Sequence, residues 1–463
     1  MHSKNFKELA VIPKYKDLFN ALEKFDVGYC IFKSLECLSD DLIGARGDLD
    51  ILVNEDTDDL KKAMGSAGFT PVTWPCKFSG MWFYISYCAV SKKTAFVHFH
   101  DHIPVGNNKQ YKWNIAEHFI DNAITDKNFN VKVASPEDEF AGLILRLSLK
   151  KTIKRSDTNH LKELSVEALK HNWHNKTIDQ LLSLTKVHRP EFFKKIIRTD
   201  NLKDTLKNFG KIAHKHFGKN ICSSLFFNKK AAISKFVLRV IAFLRRKSGA
   251  PQMRKKSCGR LVAFIGVDGA GKSTQVDLIL NTNYFQRTGV KRIYFGANEF
   301  WIPGLTCFLK VANASKLGSF SRKISILLTI LDRRLRLLRA LYYKAKGYLV
   351  ICDRYFYDDL MYCEKVKLSG RKGKKIKFLR FLNNRIGYTP DATIYLRISG
   401  EEAYKRKQDY TEAEKKENVK VYDATLLNRK EVHPIDATLS IDIIHAQIAP
   451  IILPELQNSS EAK

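Results

Sequence analysis

Arg260-Leu-Val-Ala-Phe-Ile-Gly-Val-Asp-Gly-Ala-Gly-Lys-Ser-Thr274 opens as an apolar run and breaks into glycines, with G-x-x-x-x-G-K-S spacing from Gly266 to Ser273. The order predicts a buried strand, a glycine loop and a helix, the helix supported by Val276, Ile279 and Leu280 at helical spacing. Glycines let successive backbone N–H groups turn inward around a phosphate, which also sits at the positive end of the next helix. The expected nucleotide cradle is Gly266, Asp268, Gly269, Ala270, Gly271, Lys272, Ser273 and Thr274. Lys272 can reach the β- and γ-phosphates of ATP, and the Ser273 hydroxyl can hold Mg²⁺.

A second segment, Gly347-Tyr-Leu-Val-Ile-Cys-Asp-Arg-Tyr-Phe-Tyr-Asp358, reads as another buried strand, ending in Asp353 and Arg354. A carboxylate at the C-terminal end of a sheet strand lies where Mg²⁺ near the loop needs a second anchor. The adjacent arginine can stabilise charge on a transferring phosphoryl group. From about residue 257 onward strands and helices alternate, which predicts an α/β domain with a parallel sheet wrapped by helices over 257–463.

Residues from about 259 to 455 resemble the thymidylate kinase family. The loop Gly266-Val-Asp-Gly-Ala-Gly-Lys-Ser-Thr274 is similar to that family's G-x-D-G-x-G-K-S-T form. The resemblance implies that Asp268 contacts a sugar hydroxyl of the acceptor. It makes Arg333, in Leu331-Asp-Arg-Arg-Leu335, a candidate for gripping the acceptor. Pro390-Asp-Ala-Thr-Ile-Tyr-Leu396 is similar to the family's next core strand. Glu401–Lys407 resembles the helix leading into a mobile lid, so that Arg406 or Lys405 would close over the phosphates. Ile435-Asp-Ala-Thr438 matches the strand and turn beside the adenine site. One segment departs from the family. The substrate-phosphate loop of the Arg-Glu-Pro-Gly type is replaced by Ile293-Tyr-Phe-Gly-Ala-Asn-Glu-Phe-Trp-Ile-Pro303. Losing that arginine removes a charge-assisted contact of about 1.5–3 kcal/mol. The expected activity is therefore phosphoryl transfer from ATP to an acceptor other than dTMP; the resemblance, through its association with bacterial surface-polysaccharide functions, implies a sugar or lipid-linked glycan as the candidate. A nucleoside monophosphate kinase of thymidylate type and a nucleotide-binding regulatory module without turnover are the alternatives.

Near the start, Arg46-Gly-Asp-Leu-Asp-Ile-Leu-Val53 carries Asp48 and Asp50 at i and i+2, leading into an apolar strand. Such carboxylates project from one strand face, as metal ions in nucleotidyl transfer require. With Ile31-Phe-Lys-Ser34 upstream, Phe96-Val-His-Phe-His100 later, and Ser135-Pro-Glu-Asp138 opening a helix, residues 20–165 resemble the minimal nucleotidyltransferase superfamily. That resemblance implies an α+β domain over 1–150 with Asp48 and Asp50 as metal ligands. Ser34 replaces the glycine that follows the lysine, and His98 stands where the third carboxylate belongs. Asp101, three residues on, should face the other way. Two readings follow: an altered metal site using His98 and His100, or a domain that binds without catalysing.

At 463 residues the chain should hold two or three domains, and 44% hydrophobic with 27% charged residues is a globular composition. Short strand-like runs at Tyr29–Phe32, Leu49–Val53, Trp82–Tyr87 and Phe96–His100 mark the first zone, and 151–256 reads as a basic helical connector. No apolar run reaches 18 residues and the N-terminus lacks a signal peptide's apolar core, so a cytoplasmic location is expected. Nine cysteines without a CxxC pair read as reduced thiols. The net charge of +31 suits nucleic acid, an anionic membrane or polyphosphate substrates. No nucleic-acid module is recognisable, which argues against the first. Ala231–Arg246 has apolar Ile233, Phe236, Val237, Val240, Ile241 and Leu244 on one face, beside a basic remainder. It reads either as a core-facing helix or as one resting on the inner membrane surface. A homodimer is compatible with these residues.

Overall fold

The computed structural model describes residues 11–45, 48–73, 80–105, 111–150, 153, 155–185, 189–198, 202–220, 254–255, 259–296, 300–305, 307, 319–357 and 388–456. The segment 231–246, read from the sequence as amphipathic, and Arg46 and Gly47 lie outside them. By contact the chain divides into two compact units, meeting in sequence at Gly249 and Ala250. Among the described residues no helix is long and apolar enough to cross a membrane.

The first unit is α+β. Its strands are β1 (Tyr29–Ile31), β2 (Leu49–Val53), β3 (Thr70–Thr73), β4 (Met81–Cys88), β5 (Lys93–His100), β8 (Ile124–Asp126) and β9 (Val131–Val133), with β6 (Ile103–Val105) and β7 (Tyr111–Trp113) as a separate pair. Within the unit they lie in the order β3-β4-β5-β2-β1-β9-β8. All four strands expected here form, within two or three residues of the expected ends. One face of the sheet buries Tyr15, Leu18, Phe19 and Leu22 of the helix Pro13–Lys24. The helices of the basic region do not stand apart. Leu161, Leu164, Phe192, Phe193, Leu206 and Phe209 share a core with Phe32, Leu52, Trp113 and Phe140. Asp138, fully buried, ties the same layer together, accepting from Ser135 Oγ at 2.9 Å, Asn175 Nδ2 at 2.7 Å and Thr177 Oγ1 at 2.7 Å. Three hydrogen bonds satisfy a carboxylate that would otherwise be costly to bury.

The second unit is a five-stranded, wholly parallel sheet. Its strands are β10 (Arg260–Ile265), β11 (Val290–Tyr294), β12 (Leu349–Asp353), β13 (Ala392–Arg397) and β14 (Val432–Asp436), in the order β11-β12-β10-β13-β14. Central β10 is buried from Leu261 to Ile265, as a strand covered on both faces must be. Its neighbours β12 and β13 lead off to opposite sides, so the carboxyl end of β10 is the switch point where α/β sheets bind ligands. The Gly266–Thr274 loop leaves from that end, and helix Lys272–Asn281 begins within it.

Candidate functional site

The loop owes its shape to glycines. Gly266, Gly269 and Gly271 take φ values of +150°, +97° and +86°, a range that costs an L side chain strain. At Gly269 a Cβ would also stand 2.8 Å from the Ala403 carbonyl oxygen, and at Gly266 2.6 Å from that of Leu396. Lys272 is buried and donates from Nζ to the Gly266 and Val267 carbonyls at 2.8 and 2.9 Å, which holds the ammonium inside the loop. Ser273 and Thr274 are exposed at the helix start, and Ala270 is buried beneath the loop.

Asp353 ends β12 in register with Phe264, two residues before the loop's first glycine. Its carboxylate is buried and accepts from Arg292 Nη2 at 2.5 Å, with Asp277 3.6 Å from the same guanidinium. Arg354 follows at φ +65°, its N–H bonded to the Phe264 carbonyl, and its Nη2 donates to Asp268 Oδ1 at 2.5 Å. Lys272 Nζ lies 3.6 Å from the same oxygen. Lys415, buried on the helix Glu412–Leu426, donates to the Asp268 backbone carbonyl at 2.9 Å and pairs with Asp409. Asp268 is thus a hub: its carboxylate gathers Arg354 and Lys272, and its carbonyl takes Lys415. The field reaches Lys407, whose ammonium pKa is raised first by its hydrogen bond to Asp409 and then by the charge of Asp268. Tyr355 is no candidate base. Burial pushes its phenol up, and it donates to the Tyr388 carbonyl at 2.6 Å.

A cavity of about 210 Å³ opens between Val267, Asp268, Arg354, Lys415 and Tyr422. A larger cleft of about 740 Å³ runs between Arg397–Glu401 and Pro434–Thr438, with Lys416 and Lys420 on its wall. That volume suits a nucleoside. Arg406 ends the helix Gly400–Arg406 and donates to Glu402 Oε1 at 3.1 Å and to the Ala437 carbonyl at 2.9 Å. It therefore borders the turn after β14, while Lys415, from the helix Glu412–Leu426, joins Lys272 in reaching the loop backbone.

Elsewhere in the second unit, helix Ser319–Ala345 carries Asp332 and Arg336 as a buried ion pair. Asp332 Oδ1 accepts from the N–H groups of Trp301 and Ile302 at 2.6 and 2.8 Å, and Arg336 Nη1 donates to the Tyr294 carbonyl at 2.6 Å. The pair clamps both ends of the segment that departs from the family pattern, and Arg333 is half-buried on the same helix. Arg292, Lys415 and the Asp332–Arg336 clamp were not foreseen. Only the clamp left a trace in the sequence, its i, i+4 spacing.

In the first unit, Asp50 is buried where β2 lies beside β5, in register with His98. Its Oδ1 is 2.9 Å from His100 Nε2 and 3.4 Å from His98 Nδ1, and its Oδ2 pairs with Lys33. Burial by itself would raise this carboxyl, but Lys33, His100 and His98 together hold it well below the usual range. Asp48 is half-exposed, 4.0 Å from His98 Nε2. Ser34 takes φ +60°, the conformation its expected glycine would have adopted freely.

Residues 264–448 match the family model "Thymidylate kinase". The chain is 30% identical over 201 residues to thymidylate kinase of Thermosipho melanesiensis, covering 41% of this chain and 96% of that relative. It is 27% identical over 190 residues to the protein named "Probable thymidylate kinase" of Methanococcus aeolicus, covering 39% and 81%. A solved thymidylate kinase of Candida albicans is 20% identical, covering 44% of this chain and 94% of that one, with a TM-score of 0.34. These relatives lend no support to an acceptor other than dTMP, and the thymidylate-type alternative stands closer to them. With Lys272, Asp353 and Arg354 gathered at the carboxyl end of β10, and the match running through β14, the chain belongs through its second unit to the thymidylate kinase family.

Proposed function

We propose that the second unit transfers the γ-phosphoryl group of ATP to a nucleoside monophosphate of the thymidylate type. The observation that carries this is the convergence of Lys272 and Arg354 on the Asp268 carboxylate at the phosphate loop. Phosphoryl transfer asks little covalent chemistry of a protein, and most of the catalysis is positioning and charge. Backbone N–H groups of Gly269–Thr274 cradle the phosphates at the helix start. Lys272, already held inside the loop, neutralises charge on the β- and γ-oxygens. Arg354, poised by Asp268, stabilises the group in flight. The wide cleft beside Ile435–Thr438 takes the donor's base, with Arg406 at its border. The exposed Ser273 hydroxyl and the Asp353 carboxylate fit a hard cation's preference for oxygen and would hold Mg²⁺, which supplies charge neutralisation between the phosphates. Arg292 donates to Asp353 Oδ2 and holds that carboxylate at the end of β12.

The test is transfer from γ-labelled ATP by the full chain and by Lys272→Ala, with dTMP, other nucleoside monophosphates, sugars and lipid-linked glycans as acceptors. Label on a nucleoside monophosphate, reduced at least about 10²-fold in the variant, supports the reading. Label only on a sugar or glycan, or on no acceptor, overturns it.

A further inference from the structure

The first unit holds a cluster that the kinase reading does not use. Asp50 lies on β2 with Asp48 immediately before that strand, and His98 and His100 stand at i and i+2 on the parallel neighbour β5, so the two histidines share a face. Asp50, His98 and His100 each bring a ligand-type atom within 4.8 Å of the other two. The resemblance stated for this unit implies metal ligation by Asp48 and Asp50, and a hard ion such as Mg²⁺ does not fit the donors gathered at Asp50. Mg²⁺ takes oxygen ligands, whereas two imidazole nitrogens and one carboxylate suit a softer divalent ion.

We propose that Asp50 Oδ1, His98 Nδ1 and His100 Nε2 bind one divalent transition-metal ion of the Zn²⁺ class, with Asp48 holding the far nitrogen of His98. Bonds of about 2.0–2.2 Å to such an ion put neighbouring ligand atoms roughly 3 to 3.5 Å apart. The two separations from Asp50 Oδ1, 2.9 and 3.4 Å, are already of that size. His98 supplies an independent sign. Its side chain is nine-tenths buried, and Nε2 has no hydrogen-bond partner among the described residues. A metal on Nδ1 places the proton on Nε2, and the Asp48 carboxylate 4.0 Å away is the acceptor it faces. Histidine ligands are commonly oriented by a carboxylate on their second nitrogen in this way. Phe83 and Phe96 stand edge-on to His98, with ring centroids 4.8 and 4.6 Å away, and Phe32 does the same for His100 at 5.4 Å. This apolar collar limits the rotation of both rings. Lys33 on Asp50 Oδ2 leaves Oδ1 as the oxygen turned to the ion.

The probe is Co²⁺, added to the full chain after chelator treatment and read by its visible absorption bands. The proposal expects bands that saturate at one ion per chain, are displaced by Zn²⁺, and persist in a large excess of Mg²⁺. Asp50→Asn and His98→Gln should abolish them. Asp48→Asn, at an exposed side chain, should weaken binding about 10–100-fold without unfolding the protein. His160→Gln, in the other acid–histidine cluster with Glu36 and Glu139, should leave the bands unchanged. Absence of bands in the unaltered chain, equal binding in Asp48→Asn, or displacement by Mg²⁺ overturns the site. None of these results bears on phosphoryl transfer by the second unit.

Discussion

Arg354 donates to Asp268 Oδ1 at 2.5 Å from a backbone held at φ +65°. The bend turns the guanidinium from the end of β12 back toward the Gly266–Thr274 loop, where Asp268 accepts from it. A non-glycine residue in this conformation costs about 1–2 kcal/mol, which here accompanies the positioning of a charge.

Strain and charge can be separated at this position. Arg354→Gly and Arg354→Ala should both lower kcat by about 10²–10³-fold, because both remove the guanidinium. Arg354→Gly should be the more stable of the two by about 1 kcal/mol, since only glycine takes this φ freely. Steady-state kinetics and chemical denaturation of both variants check this. Equal stabilities would mean that the bend carries no strain.

Gly269→Ala tests the loop itself. A Cβ there would meet the Ala403 carbonyl at 2.8 Å, and backbone cannot retreat as a side-chain tip can. The expected result is at least about tenfold weaker ATP binding, roughly 1.4 kcal/mol, measured by equilibrium titration with a fluorescent ATP analogue. Unchanged affinity would mean that the Gly400–Arg406 helix yields.

Ser34→Gly should stabilise the first unit by about 1 kcal/mol, because Ser34 sits at φ +60°. For a unit of this size the thermal midpoint should rise about 2–4 °C. Calorimetry of the full chain reads it, and the transition of the second unit should not move.

His445 gives a pH dependence with a definite sign. Burial pushes its imidazole down from 6.5 to about 4, so the folded state keeps it neutral. Between those values the unfolded chain binds more protons, and stability rises with pH. The contribution is complete above about 6.5 and is lost as pH falls toward about 4. His445→Gln should flatten denaturation midpoints over that window, whereas an unchanged slope would place the titration elsewhere.

Much of the second unit was legible locally. Leu261–Ile265, Gly266–Ser273 and the strand ending at Asp353 each announce themselves by apolar continuity and residue type, because a loop that wraps phosphate needs glycines at set positions. The four strands of the first unit and the i, i+2 spacing of Asp48 with Asp50 were equally readable. The linear pattern misled where it met the packing of distant segments. The basic helical stretch looked like a connector, yet Leu161, Phe193 and Leu206 complete the core of the first unit.

What the sequence determined by itself is therefore the local chemistry: a glycine loop between strand and helix, a carboxylate and an arginine at a strand end, and two carboxylates at i and i+2. Only the tertiary structure decided which charges meet. Arg292 reaches Asp353 from the neighbouring strand, Lys415 reaches the Asp268 carbonyl from a helix 147 residues later, and His98 and His100 arrive beside Asp50 by strand pairing. Such meetings depend on strand order and register, which residue spacing does not encode, because each is settled by burial summed over the whole sheet.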